Sequence, residues 1–136
     1  MTLSTSDTDN KHRALRTAFI HLAIAIFTAL FGAVYENYSH GVYSYYMIYA
    51  FAFPLVMGTL PYIAIALFGI KRYPSSVTNA IYNCAIATLT LGSILQGVLV
   101  IYGTSNTLVY VHIIMGAVLV VASVITYFAF DKINNK

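Results

Sequence analysis

Tryptophan is missing from this chain of 136 residues, cysteine occurs once, and only 8% of positions are charged. A lone Cys84 excludes an internal disulfide and any cysteine-based metal cluster; it is read as a small, buried apolar residue. Without Trp, the 12 Tyr residues must supply any aromatic belt at a membrane surface. The scarcity of charge excludes most. A soluble domain carries roughly 25% charged residues, so this composition cannot build a water-facing surface. Carboxylates are rarer still, four in all, and Glu36 is the only one between Asp9 and Asp131. With the three aspartates confined to the chain ends, no Ser-His-Asp or Cys-His hydrolytic set can be assembled. Internal repeats, phosphate loops and nucleotide motifs are also missing.

What is present is apolar: 60% of residues are hydrophobic and the mean hydropathy is +0.78. A bilayer core of roughly 30 Å needs about 20 apolar residues in a helix. Four stretches qualify, at about 17–35, 46–70, 77–101 and 108–130. The connections YENYSHGVYSY, KRYPSS and YGTSNT are short, so neighbouring helices are expected to run antiparallel. The alternation of a membrane β-barrel is lacking. The predicted fold is an all-α integral membrane protein, one up-down bundle of four transmembrane helices over residues 17–130. A polar and basic tail, 1–16, is expected to be disordered, and a short tail follows at 131–136.

Lys11, Arg13, Arg16, Lys71, Arg72, Lys132 and Lys136 are all the Lys and Arg residues there are. They fall in the N-terminal tail, the second connection and the C-terminal tail. The positive-inside bias therefore predicts both termini in the cytoplasm, with the first and third connections outside a plasma membrane. Charge so placed suits a lipid bilayer and not nucleic acid. KHRALR before an apolar run resembles the start of a signal peptide, but the run is long for one, and the first helix is expected to be retained. Asn37-Tyr38-Ser39 matches a glycosylation sequon hard against the membrane.

Helical spacing groups small and weakly polar residues into stripes. They are His21, Ala25, Thr28, Gly32 and Glu36 on the first span; Ala85, Thr88, Gly92 and Gln96 on the third; and His112, Gly116, Leu119, Ser123 and Thr126 on the fourth. Membrane helices pack through such faces. Pro54, Gly58 and Pro61 share a face of the second span and predict a kink.

By depth, Glu36, His40, Gln96 and His112 converge on one layer near the outer ends of the spans. Ionisable groups in a membrane are costly and mark function by default. His40 and His112 form a possible axial pair for haem b, with Gly116 and Gly92 or Gly32 making room for the macrocycle. His40, His112 and Glu36 would instead suit a divalent transition metal. A quinone headgroup on His112, Gln96 or a Tyr hydroxyl is a third ligand of this class. His21 and Asn83 are secondary candidates, although a structural hydrogen bond from His21 to Asn83 or Thr126 is the blander expectation. Tyr35, Tyr38, Tyr43, Tyr45, Tyr46, Tyr49, Tyr102 and Tyr110 are read as the outer interface belt.

The leading functional expectation is thus a cofactor-binding membrane protein in electron transfer or cofactor handling, not an enzyme by itself. The alternative is a non-catalytic subunit of a larger membrane complex or a homodimer. A small transporter comes third, because Glu36 stands at a boundary and the Lys/Arg asymmetry is strong.

Overall fold

The computed structural model describes residues 5–69 and 73–134. The first four residues of the tail, Ile70 with the cations Lys71 and Arg72, and the last two residues lie outside it. The described residues contain helices and no strand. The helices are α1 (Thr5–Asn37), α2 (Tyr45–Ile48), a π-helical segment (Phe53–Thr59), α3 (Leu60–Phe68), α4 (Ser76–Ile101) and α5 (Leu108–Asn134). Four stretches, Thr8–Asn37, Tyr45–Phe68, Ser76–Ile101 and Leu108–Phe130, are long and apolar enough to cross a membrane. Each overlaps one of the four predicted spans, the first starting earlier than expected, at Thr8.

The polar segment expected to be disordered is helical from Thr5 onward. A helix already nucleated by a long apolar span extends by one hydrogen bond per residue, and Asp9 near its start complements the helix dipole. At the other end of α1, the chain reverses through His40 (φ 54°) and Gly41 (φ 88°). The helix α4 starts behind Pro74, where the Ser75 hydroxyl accepts the Thr78 N–H at 3.3 Å.

Pro54 and Pro61 shape the second span as expected, but through a wide turn. The seven residues Phe53–Thr59 form π-helix, in which the Leu60 N–H reaches back to the Leu55 carbonyl. Pro61 has no N–H to return to the Met57 carbonyl four residues earlier. The Tyr82 hydroxyl of α4 donates to that carbonyl instead, at 2.6 Å.

Glycines set the helix spacing. Met47, 1% exposed, is held from both sides. A Cβ on Gly32 of α1 would lie 3.1 Å from the Met47 carbonyl oxygen, and one on Gly97 of α4 would lie 2.9 Å from its backbone nitrogen. Lower down, the ring of His21 fills the space left by Gly58. The Ser93 hydroxyl adds a bond to the Tyr46 carbonyl at 2.6 Å. Between α4 and α5, Gly92 faces His112 and Gly116 faces Leu89, and the Thr78 hydroxyl donates to that of Thr126 at 3.3 Å. Along each pair, rising numbers on one helix meet falling numbers on the next.

The spans therefore pack serially: α1 on the second span, the second span on α4, and α4 on α5. Among the described residues, α1 and α5 share no substantial interface. The predicted stripes do face their neighbours: His21, Ala25, Thr28, Gly32, Ala85, Gly92, Gln96, Gly116 and Ser123 are all buried. Cys84 is the exception to expectation. It is exposed, since it lies on the side of α4 turned away from these seams.

The Tyr82 bond yields a coupled prediction. Tyr82→Phe, by stranding the Met57 carbonyl, is expected to cost about 1–3 kcal/mol. In a Pro61→Ala background, the restored N–H serves that carbonyl and the cost shrinks. Unfolding measurements on the double-mutant cycle in detergent read the difference, and strictly additive effects would refute the substitution of hydroxyl for amide.

Candidate functional site

The four residues expected in one layer are placed by two separate pieces of local structure. Glu36 occupies the last turn of α1. Its Oε1 accepts the backbone N–H of Ser44 at 3.1 Å. Ser44 is the N-cap of α2 but makes no capping bond with its own side chain, so the carboxylate joins the ends of two helices. His40, in its left-handed turn, is exposed. It lines an open recess of about 460 Å³ with Phe31, Val34, Tyr35, Tyr38, Ser39, Ile101 and Tyr102.

His112 and Gln96 belong to the α4/α5 seam. Gly92, opposite the His112 Cβ, is one turn from Gln96 on the same face of α4. A helical side chain leans toward its helix N-terminus. Because α5 runs opposite to α4, that lean carries the imidazole toward the level of Gln96. Both side chains keep a buried polar atom without a hydrogen-bond partner, Nδ1 of His112 and Oε1 of Gln96. Leaving such a group unpaired costs about 1–3 kcal/mol.

The first connection thus holds Glu36 and His40, and the seam holds His112 and Gln96. His40 stands beside Ile101 and Tyr102, whereas His112 meets α4 at Gly92, nine positions earlier, about 13 Å along the axis. No three His, Cys, Asp or Glu side chains among the described residues are grouped to hold a metal ion. The proposed set of His40, His112 and Glu36 is not brought together, because the carboxylate is engaged in capping and His40 is on an outward turn. The glycines expected to admit a haem are also occupied. His112 fills the space at Gly92, Leu89 that at Gly116, and Met47 that at Gly32. These clearances serve backbone approach, and the residues present do not fit a porphyrin there.

The secondary candidates separate as well. His21 is buried, with Nδ1 2.9 Å from the Thr17 carbonyl oxygen. A carbonyl only accepts, so this nitrogen carries the proton. The ring stacks on Tyr62 at 5.6 Å with planes 14° apart. The expected bonds from His21 to Asn83 or Thr126 are replaced by these contacts, since the i−4 carbonyl is always within reach on a helix. Asn83 retains a buried, unpartnered Oδ1.

An aromatic cluster that the sequence did not lead us to expect lies at the opposite end from the outer tyrosines. Tyr62 contacts His21, Tyr73 and Tyr82, and its hydroxyl donates to the Asn79 side-chain oxygen. Tyr73 bonds Thr17 through its hydroxyl at 3.2 Å, and the Arg13 guanidinium sits 5.2 Å above its ring. The available signal was helical spacing: Asn79 and Tyr82 share one face of α4. No protein family, curated protein or solved structure matches the chain.

The capping role of Glu36 is directly testable. Glu36→Ala is expected to lower stability by about 1 kcal/mol, the typical worth of one hydrogen bond, while Glu36→Gln keeps an acceptor and most of the stability. Equal unfolding midpoints for the wild type and the alanine variant would refute it.

Proposed function

We propose that this is a multi-pass protein of the plasma membrane, with both termini cytoplasmic, that holds a small hydrogen-bonding cofactor between His112 and Gln96. A quinone headgroup suits the donor set best, and electron transfer or handling of that cofactor is the role. The observation that carries the reading is the pair of orphaned atoms, Nδ1 of His112 and Oε1 of Gln96, at neighbouring levels of one seam. An oxidised quinone accepts hydrogen bonds and a reduced quinol donates them. Neutral imidazole and a primary amide each offer donor and acceptor capacity. They can serve both redox forms without a charged group in the membrane, where charge is costly. The distribution of Lys and Arg supports the orientation, which puts this end of the seam toward the outer leaflet.

Binding of a short-chain naphthoquinone to the purified protein, followed by tyrosine fluorescence quenching, tests the proposal. Saturable binding is expected. Loss of one hydrogen bond, about 1.5 kcal/mol, predicts roughly tenfold weaker binding for His112→Ala and for Gln96→Leu. In the absence of ligand, Gln96→Leu should raise thermal stability, because it removes an unsatisfied buried acceptor. No binding by the wild type, or undiminished binding by both variants, overturns the reading.

A second reading, a subunit of a larger membrane complex or a homodimer, is favoured by α5. Only 17% of its apolar window is buried, against 44% for α4. Under that reading the protein from native membranes migrates as an assembly in mild detergent, and Val121→Trp on the exposed face disrupts it. Migration as a monomer rejects it.

A further inference from the structure

A recess of about 210 Å³ opens sideways at the basic end of the helices, between α3, the start of α4 and the end of α5. Pro61, Tyr62, Asn79, Tyr82, Ser123 and Val124 are among its walls. Several of these carry polar atoms, and the hydroxyls among them are engaged. The Tyr62 hydroxyl donates to Asn79, the Tyr82 hydroxyl to the Met57 carbonyl, and the Ser123 hydroxyl to the Val120 carbonyl. The surface left to an occupant is carbon. Its volume falls below the roughly 300–1,000 Å³ of sites for drug-sized ligands, and its mouth faces the surroundings of the spans, with Val124 48% exposed. A narrow, laterally open, apolar slot in a membrane-spanning chain fits a hydrocarbon chain.

In the sequence, all seven Lys and Arg residues fall before the first span, between the second and third, or after the fourth, against three carboxylates there, Asp7, Asp9 and Asp131; of these, Lys11, Arg13 and Arg16 lie on the described first turns of α1. Arg13 is linked to the recess through aromatic contacts. Its guanidinium lies over Tyr73, whose ring is 6.4 Å from that of Tyr62, and Pro74 lines the recess beside it. A cation on an aromatic face keeps its remaining donors free for an anion.

We infer that the recess holds one acyl chain of an anionic phospholipid whose phosphate is bound at the basic end by Arg13. The site is separate from the His112/Gln96 seam and does not depend on any ligand there. Native mass spectrometry of the full-length protein, released from nanodiscs of equal phosphatidylglycerol and phosphatidylcholine, tests it. One retained phosphatidylglycerol is expected. Val124→Trp, which fills the slot, should abolish retention, and Arg13→Gln should remove the preference for the anionic headgroup. Equal retention of both lipids by the wild type, or undiminished retention by Val124→Trp, overturns the inference. A rim reporter avoids any folding defect of the filled variant. The chain has no Trp, so Phe128→Trp gives a single indole on the lining. Brominated-chain phosphatidylglycerol should quench it at a lower mole fraction than brominated-chain phosphatidylcholine. Identical quenching curves would also overturn the inference.

Discussion

Two glycines on different helices hold Met47 between them, and the arrangement of the spans rests on that contact. Lipid chains are as apolar as leucine, so membrane helices gain little from hiding hydrophobic surface from one another. They associate through close backbone approach and dispersion contact instead. Gly32 and Gly97 allow that approach on both sides of the second span, at its first turn. The second span is thereby fixed between α1 and α4. Glu36 reinforces the same corner by capping Ser44, and Ser93 adds a bond to the adjoining Tyr46 carbonyl. The last helix, α5, is held on α4 by a repeat of the device, with Gly92 and Gly116 admitting His112 and Leu89.

Most polar side chains inside the spans are satisfied without help from a neighbour. Thr28, Thr88 and Thr90 donate to carbonyls four residues back, at 2.7–2.8 Å. Such bonds reconcile a hydroxyl with an apolar surrounding and say little about function. The Tyr82 bond to Met57 is of another kind, because a proline in the second span creates the vacancy that a tyrosine of α4 fills. Against this background, Ser44, Asn83, Gln96 and His112 each keep a buried polar atom without a partner, and those of Gln96 and His112 lie at neighbouring levels of the α4/α5 seam. Their energetic cost in a dry environment is the physical reason to look for a ligand there.

The two ends of the molecule have different chemistry. Tyr38, Tyr43, Tyr45 and Tyr102, at the end with the first and third connections, are each more than two-thirds exposed. At the basic end, Tyr62 is buried in a cluster with His21, Tyr73 and Tyr82. One group is spread over a surface; the other locks three elements together and leaves a carbon-lined slot beside it.

The chain's composition and periodicity alone determined that it is helical, that it has four stretches of membrane length, and which stripe of the first, third and fourth faces a neighbour. These follow from local rules: run length decides a span, and 3.6-residue spacing decides a face. Pro54 and Pro61 announced a distorted helix, though not the π turn that absorbs them. Only the tertiary structure decided which polar residues meet. Glu36, His40, Gln96 and His112 were expected at one level, yet His40 stands beside Ile101 and Tyr102 and His112 beside Gly92, about 13 Å apart along the axis of α4. Their directions depend on a left-handed turn at His40, on a carboxylate diverted to a cap, and on glycine contacts that bring helices too close for a macrocycle. The burial of Tyr62, the exposure of Cys84 and the lack of a substantial α1–α5 interface among the described residues were equally out of reach, because each depends on which helices become neighbours and no local pattern encodes that.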